Sequence, residues 1–146
     1  MTPTPDEPVS PASGDTTVTT VASPPTGGTD RAAEATFVTL INDHRAGIGA
    51  SPLAVDPGLT AAAQAWAAQM ASENHLYHQD LEPLLNPWRL VGENVGYGPD
   101  EPSLHQGFLN SSGHRANLEN NSYTHIGVGV VVDDNGRMWT SHVFGG

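Results

Sequence analysis

The sequence predicts a single α/β domain in which helices cover a small antiparallel sheet. Two apolar stripes at helical spacing open the folded part, and an alternating segment with an Asn-Gly turn closes it. No repeated βαβ unit lies between them, which argues against a parallel sheet.

The first helix carries Phe37, Leu40, Ile41, His44 and Ile48 at i, i+3, i+4, i+7 and i+11, and Gly47 and Gly49 end it. Ser51-Pro52 begins a connection. A second helix starts near Asp56 with Pro57 in its first turn, and Leu59, Ala63, Trp66 and Met70 form its buried stripe. Its remaining alanines favour helix and allow close packing. Asn74 to Trp88, interrupted by Pro83 and Pro87, reads as a loop long enough to have a role of its own. Gly92-Glu93-Asn94-Val95 follows, and Gly96 to Pro99 reads as a turn. A third helix is expected from about Glu101 to Asn110, and one more helical turn from Gly113 to Leu118. Ile126, Val128, Val130 and Val132 alternate with Gly127, Gly129 and Val131 in the period of a strand. Asp133 to Gly136 supplies the hairpin turn, and Met138 to Phe144 returns as the partner.

Composition sets the boundaries. Residues 1–29 are built almost wholly from Pro, Thr, Ser, Gly, Val, Ala and acidic residues. Such a stretch buries too little apolar surface to offset its ordering entropy, so a disordered tail or linker is expected there. Residues 30–146 form the domain, large enough for one core without covalent staples. The formal charge is −11, with five Arg and no Lys, a field that repels nucleic acid and anionic membrane surfaces. The absence of Cys excludes disulfides, thiolate metal sites and cysteine nucleophiles. No run of 18 apolar residues exists, so no transmembrane span is expected. The first residues lack the basic start and apolar stretch of a signal peptide, which leaves a cytosolic protein or one that begins after a removed signal. The Pro/Thr/Ser tail favours the second.

Common catalytic signatures are missing: there is no Gly-x-Ser-x-Gly, no phosphate-binding Gly-x-x-x-x-Gly-Lys and no His-Glu-x-x-His. What remains is His78, Glu93 and His114, each in polar, turn-like surroundings. Two neutral imidazoles and a carboxylate are a donor set that holds Zn²⁺ with a fourth position open. Their spacing alone does not bring them together. Glu93 equally suits a loop-ordering cap for backbone N–H groups, and His114 a structural bond to a carbonyl. His75 competes with His78 for the first position. His44 reads as a core histidine, His105 as a surface one, Trp66 and Met70 as core, and Arg115 as the partner of a carboxylate.

The chain resembles the CAP/SCP superfamily of cysteine-rich secretory, antigen 5 and pathogenesis-related proteins, in its bacterial cysteine-free branch. The likeness runs from about Phe37 to Phe144. It rests on Leu40-Ile41-Asn42-Asp43-His44-Arg45, Ser51-Pro52-Leu53, Leu59-x-x-x-Ala63-x-x-Trp66-Ala67 and Gly92-Glu93-Asn94-Val95. Its strongest part is Ser111-x-Gly113-His114-Arg115-x-Asn117-Leu118 followed by Ile126-Gly127-Val128-Gly129-Val130. The resemblance implies a three-layer α/β/α sandwich with a small antiparallel sheet. It also implies a cleft lined by His78, Glu93 and His114, in which the histidine pair binds a divalent cation, Zn²⁺ or another, with Glu93 as a third ligand. Ser111 stands where eukaryotic members carry a second Glu, and His142 where bacterial relatives often carry Gln, so both are placed at the cleft. His78 is favoured over His75 by its position in the motif.

Three functions follow as expectations. The first is a secreted, non-enzymatic binding module whose cleft holds a cation and a lipid-like, sterol-like or peptide ligand. The second is a metal-dependent hydrolase or protease with Glu93 as general base, which the missing second carboxylate weakens. The third is a cell-envelope interaction module with a vestigial cleft. A monomer without organic cofactor is expected in each case.

Overall fold

A computed structural model describes residues 29–146. The expected disordered tail therefore lies, except for Thr29, outside the described residues. The elements are α1 (Arg31–Gly47), β1 (Ala54–Val55), α2 (Pro57–Glu73), β2 (Val91–Gly98), α3 (Glu101–Leu109), α4 (Ser112–Glu119), β3 (His125–Val132) and β4 (Met138–Gly145). Three helices begin with the same local device. Asp30, Asp56 and Asp100 each accept a hydrogen bond from the backbone N–H three residues on, at Ala33, Leu59 and Ser103. That bond satisfies a donor the first helical turn leaves open.

The sheet has the order β1-β3-β4-β2. β4 pairs antiparallel with β3 on one side and β2 on the other, and only the two-residue β1 is parallel, to β3. Because successive side chains alternate, β4 divides its residues between two layers. Trp139 and Val143 pack with Met70, Leu59 and Ala63 of α2. Phe144 packs on the opposite face with Phe37 and Ile41 of α1, Leu104 and Phe108 of α3, and Leu118 of α4. The result is an α/β/α sandwich with α2 alone on one side.

The glycines of β3 set the distance to α2. A Cβ on Gly127 or Gly129 would overlap the α2 main chain at Leu59–Thr60 or Ala63–Gln64. The helix therefore lies directly on the strand, and the Gly/Val alternation in the sequence is the trace of that contact.

Several expectations are corrected. Gly96 does not open a turn. β2 continues to Gly98, and Gly96 is a packing position whose added Cβ would meet Phe108 and Leu104 at 3.1–3.2 Å. The fourth helix spans eight residues rather than one turn. Ile48 leaves the apolar stripe, caps α1 through its N–H and is exposed. Trp66 is half-buried, with its indole N–H donating to the Tyr77 carbonyl at 2.7 Å. His105 is buried rather than at the surface, and His44 is half-buried and paired with Glu119 at 2.7 Å. Arg115 pairs with the same Glu119.

Candidate functional site

β2 is the edge strand, and its Glu93 and Asn94 point to opposite faces of the sheet. On the α2 face, the carboxylate of Glu93 is buried and gathers four donors. Oε1 accepts from His78 Nδ1 at 3.0 Å and from the Gln79 backbone N–H at 3.2 Å. Oε2 accepts from Gln79 Nε2 at 2.8 Å and from the Ser141 hydroxyl at 2.7 Å.

The segment that brings His78 there is shaped by the end of α2. Asn74 takes the left-handed conformation (φ 54°), and the N–H groups of Asn74 and His75 bond back to Ala71 and Met70. The chain then turns along α2, where the Trp66–Tyr77 bond pins it. His75 is exposed and lies against Tyr77, with ring centroids 4.5 Å apart. His78, not His75, reaches Glu93.

On the other face, Asn94 and Asn117 fasten α4 to the edge strand. Asn94 Nδ2 donates to the His114 carbonyl at 3.0 Å, and Asn117 Nδ2 donates to Asn94 Oδ1 at 3.0 Å and to the Glu93 carbonyl at 3.3 Å. Ser111 is the N-cap residue of α4, yet its hydroxyl makes no cap bond and instead meets His114 Nδ1 at 2.7 Å. His78 and His114 thus flank the same sheet edge, one from each side. His114 is buried, with its ring 5.3 Å from Phe108.

His142, also expected at the cleft, falls on the face of the sheet away from Glu93. It lies opposite Asn94 in the β2–β4 register. Its imidazole is wholly buried between Phe37 and Phe108, edge-on to both rings at 4.6 and 5.1 Å. The alternation of β4 gives Ser141 to the carboxylate and His142 to the opposite core.

A carboxylate offers about four lone-pair directions, and Glu93 has a donor for each. Among the described residues no three His, Asp or Glu side chains are grouped as metal ligands. The set does not fit a three-ligand centre that uses Glu93. It has the form of a carboxylate orienting an imidazole from behind: with Nδ1 given to Glu93, Nε2 is the basic nitrogen of His78.

Sequence reasoning missed Gln79 and Ser141, which hold Glu93, and Asn94 and Asn117, which hold α4. It also missed the buried Arg45, whose guanidinium donates to the carbonyls of Ser51, Leu118 and Asn120.

Fold and site together define a three-layer sandwich with a histidine on each side of one sheet edge and no cysteine. The model of the cysteine-rich secretory protein (CAP) family matches residues 38–144, and the chain belongs to that family. Among its relatives is the uncharacterized protein YkwD of Bacillus subtilis (strain 168), 32% identical over 145 residues, covering 92% of this chain and 54% of YkwD. The chain thus spans about half the length of that relative. An extracellular protein of Bacillus anthracis containing an SCP domain is 27% identical with a TM-score of 0.68, over 78% of this chain and 40% of that one. An outer surface protein of Borrelia burgdorferi shares the fold at a TM-score of 0.71 and 18% identity, over 79% of this chain and 92% of that one. Among the described residues no helix is long and apolar enough to cross a membrane.

Proposed function

We propose that the chain acts outside the cytoplasm, secreted or at the cell envelope, as a non-enzymatic binding module. The extracellular and outer-surface descriptions of its structural neighbours support the location. In this reading the imidazoles of His78 and His114 hold a divalent cation at the edge of β2, and Glu93 orients His78 without touching the ion. A peptide or small hydrophobic ligand then binds beside the cation.

The observation that carries binding over hydrolysis is the occupancy of Glu93. A general base needs a lone pair directed at the water it deprotonates. Both oxygens of Glu93 already accept two donors each. The carboxylate is a fixed part of the scaffold.

Calorimetric titration of Zn²⁺ into the full chain and into His78→Ala and His114→Ala tests the reading. Saturable binding in the parent chain and its loss in each variant are expected. Affinity should fall in acid, because a ligating imidazole must be neutral. Indistinguishable heats in all three proteins contradict the cation site and leave a module with a vestigial cleft. Chelator-sensitive turnover of a peptide or ester panel contradicts the non-enzymatic reading.

A further inference from the structure

The edge of the sheet opposite Glu93 carries a groove of about 460 Å³ between α1 and α2. Its origin is the shortness of β1. That strand pairs with β3 only at His125 and Ile126 before the chain leaves into α2. Further along β3, the N–H of Asp30 at the start of α1 donates to the Val130 carbonyl at 2.8 Å. Between these two contacts β3 has no neighbouring strand on this side among the described residues. Ala35, Val38, Val55, Pro57, Ala61 and Val128 wall the space that is left. Val55 is 56% exposed there, an apolar side chain standing in water. A concave, mostly apolar site of this size suits a small molecule.

Two opposite charges line the groove one helical turn apart, Arg31 and Glu34 of α1. Glu34 is buried and reaches across the β3 edge. Its Oε2 accepts from the Val130 N–H at 3.1 Å, and its Oε1 accepts from Gln64 Nε2 of α2 at 2.9 Å. These bonds fix the carboxylate but fill only one of the roughly two lone-pair directions on each oxygen. Glu93, by contrast, has two donors on each oxygen. Arg31 is exposed at the rim, and among the described residues no ion pair includes it or Glu34. A ligand with a single charge is repelled by one of the two side chains, whereas a zwitterion satisfies both.

We propose that this groove binds a free α-amino acid with a large apolar side chain. The ligand's ammonium donates to the open lone pairs of Glu34, and its carboxylate meets the Arg31 guanidinium at the rim. Its side chain lies against Val38, Val55 and Val128. An amino acid carries both charges on one carbon, which matches two side chains one turn apart on a helix. The buried contact needs little rearrangement, because α2 and β3 already hold the Glu34 carboxylate in place. The site is independent of the cation cleft, which lies beside β2 at the far edge of the sheet.

Titration of the full chain with L-phenylalanine, followed in ¹H–¹⁵N backbone spectra, tests it against two analogues that each lack one charge. Phenethylamine has no carboxylate, and 3-phenylpropionate has no ammonium. Phenylalanine should shift the amides of Val55, Thr60, Gln64 and Val128 saturably, and bind roughly tenfold or more tightly than either analogue. Glu34→Gln keeps an acceptor for the Val130 N–H, and Gln64 can turn its own amide to meet the new one. This variant should bind phenylalanine roughly tenfold more weakly. Should it not fold, Arg31→Gln, a change at an exposed side chain, should remove the preference for phenylalanine over phenethylamine. Absence of a saturable shift overturns the proposal, as does equal affinity for the three ligands, which an uncharged apolar occupant would give. So do shifts confined to the surroundings of His78 and His114, or unchanged discrimination in either folded variant. Groove amides that move on dilution of the free chain, as a second copy seated there would cause, also overturn it.

Discussion

His78 and Glu93, 15 residues apart in the chain, are joined Nδ1 to Oε1 at 3.0 Å across the gap between the α2 loop and the edge strand. The bond fixes the ring of a half-exposed histidine from its buried side, where the Glu93 carboxylate is fully enclosed. An oriented imidazole loses less freedom on meeting a ligand than a mobile one does.

Glu93→Gln replaces an acceptor-only group with an amide that carries its own N–H donors. One of its two ends would face donors it cannot accept, from Ser141 and Gln79 or from His78 and the Gln79 backbone. Urea unfolding should show a loss of about 2–3 kcal/mol. Zn²⁺ affinity should weaken roughly 10–100-fold, as for other lost partners of ligating histidines. Unchanged stability would show that the carboxylate does not organise the loop.

Arg45→Met keeps the apolar stem of a buried side chain and removes the guanidinium. The carbonyls of Ser51, Leu118 and Asn120 then lose their donor between α1 and α4. A destabilisation of about 3 kcal/mol is expected in urea unfolding. A change below 0.5 kcal/mol would mean that water replaces the guanidinium at no cost.

Gly129→Ala places a methyl group into the main chain of α2 at Ala63 and Gln64. Backbone cannot swing aside as a side chain does, so α2 must move off the sheet. A loss of about 3 kcal/mol or more is expected, or failure to fold. Ala at Gly47, whose Cβ position is open, should be tolerated and serves as the control.

Much of this architecture was legible because its determinants are local. An aspartate three residues before the N–H it caps, or an Asn-Gly turn between alternating runs, is visible within a short window. Gly96 was misread because a glycine at a turn and a glycine under a helix look alike until the helix is placed. His105 follows Leu104 and precedes Phe108 on a short helix packed against both α1 and α4, so its burial is set by two neighbours rather than by one stripe. The alliance of Glu93 with Ser141 spans 48 residues and depends on which face each strand residue takes. A one-residue change of register would have given the carboxylate His142 instead of Ser141.

Acid should weaken the fold as a whole through the same parity. Burial pushes His142 down to about 3, with His105 and His114 adding to the effect. Its neutral form is therefore favoured by folding. The unfolded chain takes up the proton near pH 6.5, so this stability is complete above that pH and is lost toward pH 3. At pH 5 the loss from this residue should be about 2 kcal/mol in urea unfolding. His142→Phe should flatten the profile. A parent profile that is level between pH 7 and pH 5 would contradict the buried neutral state.

The orientation of His78 by Glu93 is tested most directly by long-range ¹H–¹⁵N correlation of the imidazoles in the full chain at pH 7.5. The account predicts a single His78 tautomer with the proton on Nδ1, giving way to mixed tautomers in Glu93→Gln. A proton held on Nε2 alone in the parent chain, or a spectrum that the variant leaves unchanged, would contradict it.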